Sequence, residues 1–491
     1  MTDDLSAEPG LYVGGEWITE TGETIVSRNP SDTDDVVATF ASGDRSDTAD
    51  AVATAVDAQE WWRALSPHER GGYLRDAAAE IEPRKETLSK LTSREMGKTI
   101  DAARGELQRT IDLLNYYAEV GRDTGGVAPP SANENTVTYT QREPWGTAGI
   151  ITPWNYPIAI PTWKIAPALV SGNTVVFKPA SLTPAIAAEL VAAFDSAGIP
   201  AGVLNFVPGP GSEVGDEIAT NDDVDVVSFT GSYGVGNRVH HAAAEAGKRV
   251  QCEMGGKNPI VVDDSANIDL AVELTVAGGL TGLSGQACTA TSRVLAFSSV
   301  HDEYLDRLVE RVEELTVGDP LDGDTDMGPK SSAGELKSDL EYIEDGQDAG
   351  AQLVTGGERL TESEYENGYF VEPTVFADVD PDMRIATEEI FGPVLSIIEV
   401  ADYEEAIKVA NAVEYGLSAS ICTNRLDHAK SFARDVEVGV VKVNQTTTGV
   451  ELQLPFGGRK NSSTETFKEQ GRQALDFYSH EKAIYVTYKD A

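Results

Sequence analysis

The sequence predicts an α/β protein built on a parallel, doubly wound sheet. Three observations carry this. From Gly146 onward, short apolar runs alternate with longer segments of helical period, the rhythm of strands joined by crossover helices. Glycine is frequent, at 46 residues, and spread out, as many tight strand-to-helix turns demand. A length of 491 residues with 41% hydrophobic content suffices for two or three domains with several packed layers.

Taken in order, residues 1–10 are acidic and are expected to fray. Residues 47–64 read as a helix, with Ala51, Val52, Ala55, Val56 and Ala58 near a 3.6 period. Residues 67–82 form a second helix, with Pro67 near its first position. Residues 88–117 supply one or two more. Residues 135–142 alternate through Val137-Thr138-Tyr139-Thr140 as a strand. The alternating region follows. Its strands are 148–151, 174–178, 203–208 and 226–230, and its helices run over 184–197, through Ile218 and through Ala246. A second α/β rhythm begins near Pro259. It holds a helix over 269–279, a strand over 293–296 and an amphipathic helix over 302–315. A strand over 394–399, a helix over 403–412 and a strand over 440–444 come next, and residues 483–488 close the chain as an alternating strand.

Charge excludes some functions. There are 81 acidic against 38 basic residues, a net of −43. A phosphate backbone or an anionic membrane surface would be repelled, so neither nucleic acid nor membrane is an expected partner. Sustained apolar periodicity argues against disorder. The acid is dispersed, as in Asp319-Pro320-Leu321-Asp322-Gly323-Asp324. Such a surplus suits molar salt, where self-repulsion is screened, as in a salt-accumulating halophile. Cys252, Cys288 and Cys422 are too few for a disulfide framework and lack metal-ligand spacing, so no metal is expected and a reduced cytoplasm fits. No secretion signal is read at Met1-Thr2-Asp3-Asp4, and no apolar run approaches the ~18 residues of a membrane span.

Three side chains could perform covalent chemistry on a carbonyl. Cys288, in Ser284-Gly285-Gln286-Ala287-Cys288-Thr289, has small or polar neighbours that let a backbone approach a ligand; otherwise it is a small buried hydrophobe. Glu253 ends a strand before Gly255-Gly256, a pair read as forcing a turn; a carboxylate there can move protons. Asn155, in Pro153-Trp154-Asn155-Tyr156-Pro157, is either a turn asparagine or an oxyanion donor working with the Cys288 N–H. A cysteine hydrolase would need a histidine base, and none of His68, His240, His241, His301, His428 and His480 stands in a motif-like setting. Two glycine clusters, at Gly209-Pro210-Gly211 and Gly231-Ser232-Tyr233-Gly234, follow strands and open helices. Neither is Gly-x-Gly-x-x-Gly, yet a helix N-terminus can hold phosphate.

These strings together resemble the NAD(P)-dependent aldehyde dehydrogenases, from about Val13 to Tyr488. The resemblance implies an aldehyde dehydrogenase fold: a Rossmann-like cofactor domain (1–122 and 145–254), an α/β catalytic domain (255–455) and a small β oligomerisation element (123–144 and 465–491) that makes dimers or tetramers. It implies Cys288 as nucleophile, Glu253 as the base for deacylation, Asn155 as oxyanion donor and Glu469 as a proton relay, although a surface helix carboxylate is an equal reading of Glu469. For the cofactor it implies Ile151, Trp154, Lys178 and Ser181 around the adenosine side and the strand end, Gly211 by the adenine, Ser232 at the pyrophosphate, and Glu389 and Phe391 at the nicotinamide ribose. NAD-preferring members often carry glutamate where Ser181 stands, so NADP is the expected cofactor, with NAD also accepted; Ser181 also reads as a helix N-cap. A catalytically silent structural member of the fold is the non-enzyme alternative.

Residues 443–449 and 455–464 resemble the α-ketoglutarate semialdehyde dehydrogenases, with succinate semialdehyde dehydrogenases and broad-range members as alternatives. Many of those place arginines in the substrate mouth, where this chain has Trp163 and Leu283-Ser284. How a substrate carboxylate would be anchored is left open.

Overall fold

The computed structural model describes residues 6–123 and 125–488. The parts of the expected units that fall on residues 1–5, 124 and 489–491 lie outside the described residues. Two seven-stranded sheets organise the chain. The first runs in the order Arg249–Glu253, Val226–Thr230, Thr147–Ile151, Thr174–Lys178, Leu204–Phe206, Leu11–Val13, Glu16–Ile18. Its first five strands are parallel and the last two antiparallel. Strands 147–151, 174–178 and 226–230 are buried at every residue, which is why they read as unbroken apolar runs rather than alternating ones. The chain leaves strand 147–151 toward one edge and returns to its other side with strand 226–230. That reversal is a topological switch point, where open α/β sheets bind ligands beyond the strands' carboxyl ends.

The second sheet runs Gln352–Thr355, Thr374–Ala377, Val394–Val400, Thr291–Phe297, Asn258–Val262, Ser418–Cys422, Val440–Val443. It is parallel except for its first pair. Strand Thr136–Pro144 pairs antiparallel with Ser479–Thr487 in a separate two-stranded ribbon.

Several boundaries moved for physical reasons. The first helix, Arg45–Ala64, starts two residues early because Asp44 caps it with a capping box. The 88–117 region is two helices, Lys85–Met96 and Ile100–Val120, divided at Gly97, whose φ of 91° closes the first with a left-handed cap. The strand over 203–208 contracts to Leu204–Phe206, and the helix after it is a π turn, Gly211–Gly215, running into Asp216–Thr220. The expected fraying does not extend to residues 6–10: Ser6 and Ala7 N–H groups both donate to Glu189 Oε1 at 2.9 Å, and Gly10 is buried. Helix Ala159–Ser171, absent from the sequence reading, is buried at twelve positions, Ala159 to Val170.

Candidate active site

Two cavities meet at Cys288. The first, about 430 Å³, opens at the switch point and is lined by Ile151, Thr152, Trp154, Asn155, Thr230, Ser232, Cys288, Glu389 and Phe391, among others. The second, about 370 Å³, is lined by Arg109, Tyr156, Trp163, Cys288, Thr289 and Phe456, among others. Only Cys288 and Ile160 face both. Cys288 is half-buried, whereas Cys252 and Cys422 are buried, as small core residues are.

The loop that presents Cys288 is pinned from several sides. Ser284 has a φ of 54° and donates to Gly328 O at 2.8 Å. Gly285 has a φ of 72°, and a Cβ there would lie 2.1 Å from Gly392 O, so only glycine fits. Gln286 Oε1 accepts from the Ser331 N–H at 2.9 Å. The Cys288 carbonyl accepts from Asn258 Nδ2 at 2.8 Å. Burial, then the charges of Glu389, Glu253 and Glu469, pushes the thiol's pKa up. That favours the protonated form, so a base would have to take the proton for this sulfur to act as a nucleophile.

Asn155 is 2% exposed and does not serve its own turn. Its Nδ2 donates to Gln286 O at 3.0 Å, which fixes the amide beside the Cys288 loop and leaves one N–H for another acceptor. Lys98 Nζ, ion-paired with Glu106, donates to the Asn155 carbonyl at 2.6 Å and holds the backbone. Gly255 and Gly256 form no turn, contrary to the sequence reading, and neither takes a left-handed angle. They permit close approach: a Cβ on Gly255 would sit 1.8 Å from Glu389 Oε2, and one on Gly256 2.9 Å from Cys288 O.

Glu253 lines neither cavity. Its Oε2 accepts from the Gly458 N–H and its Oε1 from Ser463 Oγ, both at 2.9 Å. Burial, then the nearby charge of Glu469, raises its pKa well above the ordinary carboxylate range. Glu469 is not a surface carboxylate. It is 2% exposed, accepts from Trp163 Nε1 at 2.8 Å and is ion-paired with buried Lys164, which also donates to Ser228 Oγ at 2.8 Å.

The remaining sequence-selected residues divide in two. Ile151, Trp154, Ser232, Glu389 and Phe391 share the first cavity. Phe391 holds a φ of 62°, meets Trp154 edge-on at 5.5 Å, and its carbonyl accepts from Lys330 Nζ at 2.6 Å. Glu389 Oε1 accepts from the Gly256 N–H at 2.9 Å, and burial pushes its carboxyl up to about 7. Lys178, Ser181 and Gly211 lie outside that cavity. Lys178 adjoins it, being the register partner of Ile151. Burial lowers its pKa to about 8. Ser181 is not an N-cap: Thr183 precedes helix Pro184–Ser196, and the Ser181 hydroxyl donates to Gly209 O at 3.2 Å.

The chain's wider likeness agrees with this geometry. A model described as "Aldehyde dehydrogenase family" matches residues 17–484. The chain belongs to that family. It is 51% identical to an alpha-ketoglutarate semialdehyde dehydrogenase of Haloferax volcanii over 478 residues, covering 97% of this chain and 98% of that one. It is 44% identical to a 2,5-dioxopentanoate dehydrogenase of Saccharolobus solfataricus, covering 96% and 98%. A betaine aldehyde dehydrogenase from Staphylococcus aureus, solved in complex with NAD+, superimposes with a TM-score of 0.95 at 32% identity, covering 99% and 95%. Oxidation of an aldehyde to the acid is the activity of this family, and its homologues bind NAD(P).

The first cavity fits a dinucleotide. The buried hydroxyls of Thr152 and Thr230 face it with no partner among the described residues. Helix Tyr233–Glu245 begins there, and no side chain caps it, so its first N–H groups are free for phosphate. Gly234 has nothing within 4 Å of where a Cβ would stand, which leaves room at that helix start. Among the described residues no cluster of His, Cys, Asp and Glu could hold a metal, no helix is long and apolar enough to cross a membrane, and no histidine lines either cavity.

Sequence reasoning missed Lys164, Ser463 and Arg109. A lone lysine in the apolar run of 158–170 was the available signal for the first. Ser463 lies inside the 455–464 segment, where nothing set it apart from its neighbours. Arg109 carried no signal, being one of many charges on helix Ile100–Val120.

Proposed function

We propose that this aldehyde dehydrogenase oxidises 2,5-dioxopentanoate, a semialdehyde, to its dicarboxylic acid with NADP or NAD. The observation that carries the chemistry is that Cys288 stands between two cavities, one fitted to a dinucleotide and one closed by Trp163 and Phe456. The relatives in Haloferax and Saccharolobus support the substrate.

In this reading Cys288 loses its proton to a base and its sulfur bonds to the aldehyde carbon. The resulting oxyanion is held by the free Asn155 N–H and the Cys288 N–H. The chemistry a bound nicotinamide supplies is hydride acceptance, and Glu389 and Phe391 would hold its ribose, with Ser232 at the pyrophosphate. After that oxidation a thioester remains on Cys288. Glu253, released from Gly458 and Ser463, takes a proton from water; the hydroxide attacks the thioester, the C–S bond breaks and the acid leaves. Glu469, with Lys164, passes the proton onward. A kinetic panel tests the substrate: kcat/KM for 2,5-dioxopentanoate should exceed those for succinate semialdehyde and simple alkanals by about tenfold or more, roughly 1.4 kcal/mol. A higher value for an alkanal would contradict it.

For the cofactor, Ser181 is exposed and, where the family resemblance would put the adenosine ribose, offers no carboxylate to repel a 2′-phosphate. The ratio of kcat/KM should favour NADP, and Ser181→Glu should reverse the preference by placing a negative charge there. A wild type preferring NAD by about tenfold would contradict this.

The net charge of −43 supports adaptation to molar salt, in company with the Haloferax relative. Unscreened, that charge opposes both folding and association. The ribbon of strands 136–144 and 479–487 would supply the subunit contact of a dimer or tetramer, flanking a cofactor domain and a catalytic domain divided near residue 254. Activity and sedimentation coefficient should both rise from low salt toward molar KCl. A fully active, assembled enzyme at ~50 mM salt would overturn this.

A further inference from the structure

The second cavity has in its wall a cation that no carboxylate contacts directly among the described residues. Of the residues lining it only Glu106 and Arg109 are charged. Glu106 is fully committed: Oε2 pairs with Lys98 Nζ at 2.5 Å, and Oε1 accepts from the Ile158 and Ala159 N–H groups at 3.1 and 3.0 Å. Glu106 and Lys98 therefore cancel, and the charge left at the wall is that of Arg109.

Arg109 is half-buried, and burial lowers its pKa. Its guanidinium donates to the Val450 carbonyl and to Gln470 Oε1, both neutral oxygens. Those two bonds leave part of its five-donor fork unused. Among the described residues no carboxylate forms an ion pair with it. In a chain with 81 carboxylates and 38 cations this is unexpected. Arg104, on the same helix, pairs with both Glu86 and Asp101. Glu451 and Asp112 favour its charge only without direct contact, and burial still outweighs them; a ligand carboxylate meeting the fork would relieve that cost with two parallel charge-assisted bonds. Cys288 lines the same cavity, whose other walls, with Tyr156, Ile160, Trp163, Leu283 and Phe456, are apolar or neutral. Such a space accepts a short chain with an aldehyde at one end and an anion at the other.

We infer that Arg109 anchors the carboxylate of the substrate and so selects short ω-oxo acids over neutral aldehydes. This rests on the semialdehyde reading above and answers how a carboxylate is held where Trp163 and Leu283-Ser284 provide no cation. Arg109 acts on binding, so its loss should appear in KM rather than in kcat.

The test compares wild type, Arg109→Met and Arg109→Lys on 2,5-dioxopentanoate, succinate semialdehyde and pentanal. Arg109→Met should lower kcat/KM for the acids by about 100-fold through KM, the loss of a bidentate charged contact, and leave pentanal within about threefold. Arg109→Lys should recover part of the loss. Retained turnover of pentanal shows that the variant is folded. An equal fall for pentanal would mean that Arg109 only ties down the Val450 segment, and an unchanged KM for the acids would mean that it binds nothing; either overturns the anchor. If wild type prefers 2,5-dioxopentanoate while Arg109→Met retains it, the anchor fails and the substrate reading stands. If wild type prefers succinate semialdehyde and Arg109→Met loses it selectively, the anchor stands and the substrate reading fails.

Discussion

Replacing Cys288 by alanine abolishes aldehyde oxidation, lowering turnover by about 10⁴-fold or more, while cofactor affinity stays within a few-fold of wild type. In the proposed mechanism the sulfur is the atom to which the aldehyde carbon bonds, and no other cysteine can substitute, since Cys252 and Cys422 are buried in the hydrophobic core. The cofactor cavity loses only one small wall atom, because its fitted groups are Thr152, Thr230, Glu389 and the start of helix Tyr233–Glu245. Initial-rate assays at 340 nm and titration with reduced cofactor check the two halves. Turnover within a few-fold of wild type would remove the covalent mechanism.

Glu253→Gln stalls the enzyme after its first oxidation. The amide is nearly the same size: its oxygen can accept from the Gly458 N–H and its NH2 can donate to Ser463 Oγ, but it cannot take a proton from water. Stopped-flow mixing should show one equivalent of reduced cofactor formed in a burst, followed by a steady state slower by about 10²–10⁴-fold. The wild-type pH profile has a matching sign. Burial and Glu469 raise the pKa of Glu253; in the proposed mechanism deacylation needs its carboxylate form, so turnover should rise with pH through that raised value. The limb should vanish in Glu253→Gln. A variant with no burst, or with the limb intact, would assign water activation to another group.

The parallel strands were legible because they are buried on both faces, so Thr147–Ile151, Thr174–Lys178 and Val226–Thr230 read as apolar blocks with turn residues between. Helix Ala159–Ser171 escaped for the same physical reason in reverse. It is apolar on all sides and contains Pro161 and Pro167, so it offers neither period nor ordinary helix signals. Strands Leu11–Val13 and Glu16–Ile18 are three residues each, too short for alternation to register. In the site, Cys288, Asn155 and Glu253 could be chosen from residue chemistry and spacing. Their relation could not: that Glu253 is tied to Gly458 and Ser463, and that Glu469 is buried against Lys164 and Trp163, depends on contacts across some two to three hundred residues. Arg109 is the clearest case. Its sequence setting matches that of Arg104, and only the fold separates a solvated ion pair from a cation in a cavity wall that no carboxylate contacts directly among the described residues.

The most direct test of the covalent mechanism is the intact mass of Glu253→Gln, quenched with acid after mixing with 2,5-dioxopentanoate and NADP, followed by peptide mapping. The expected result is one acyl group per chain, carried on the peptide that contains Cys288 and absent when cofactor is omitted. An unmodified chain after a full burst, or an acyl group on any other residue, would contradict the assignment.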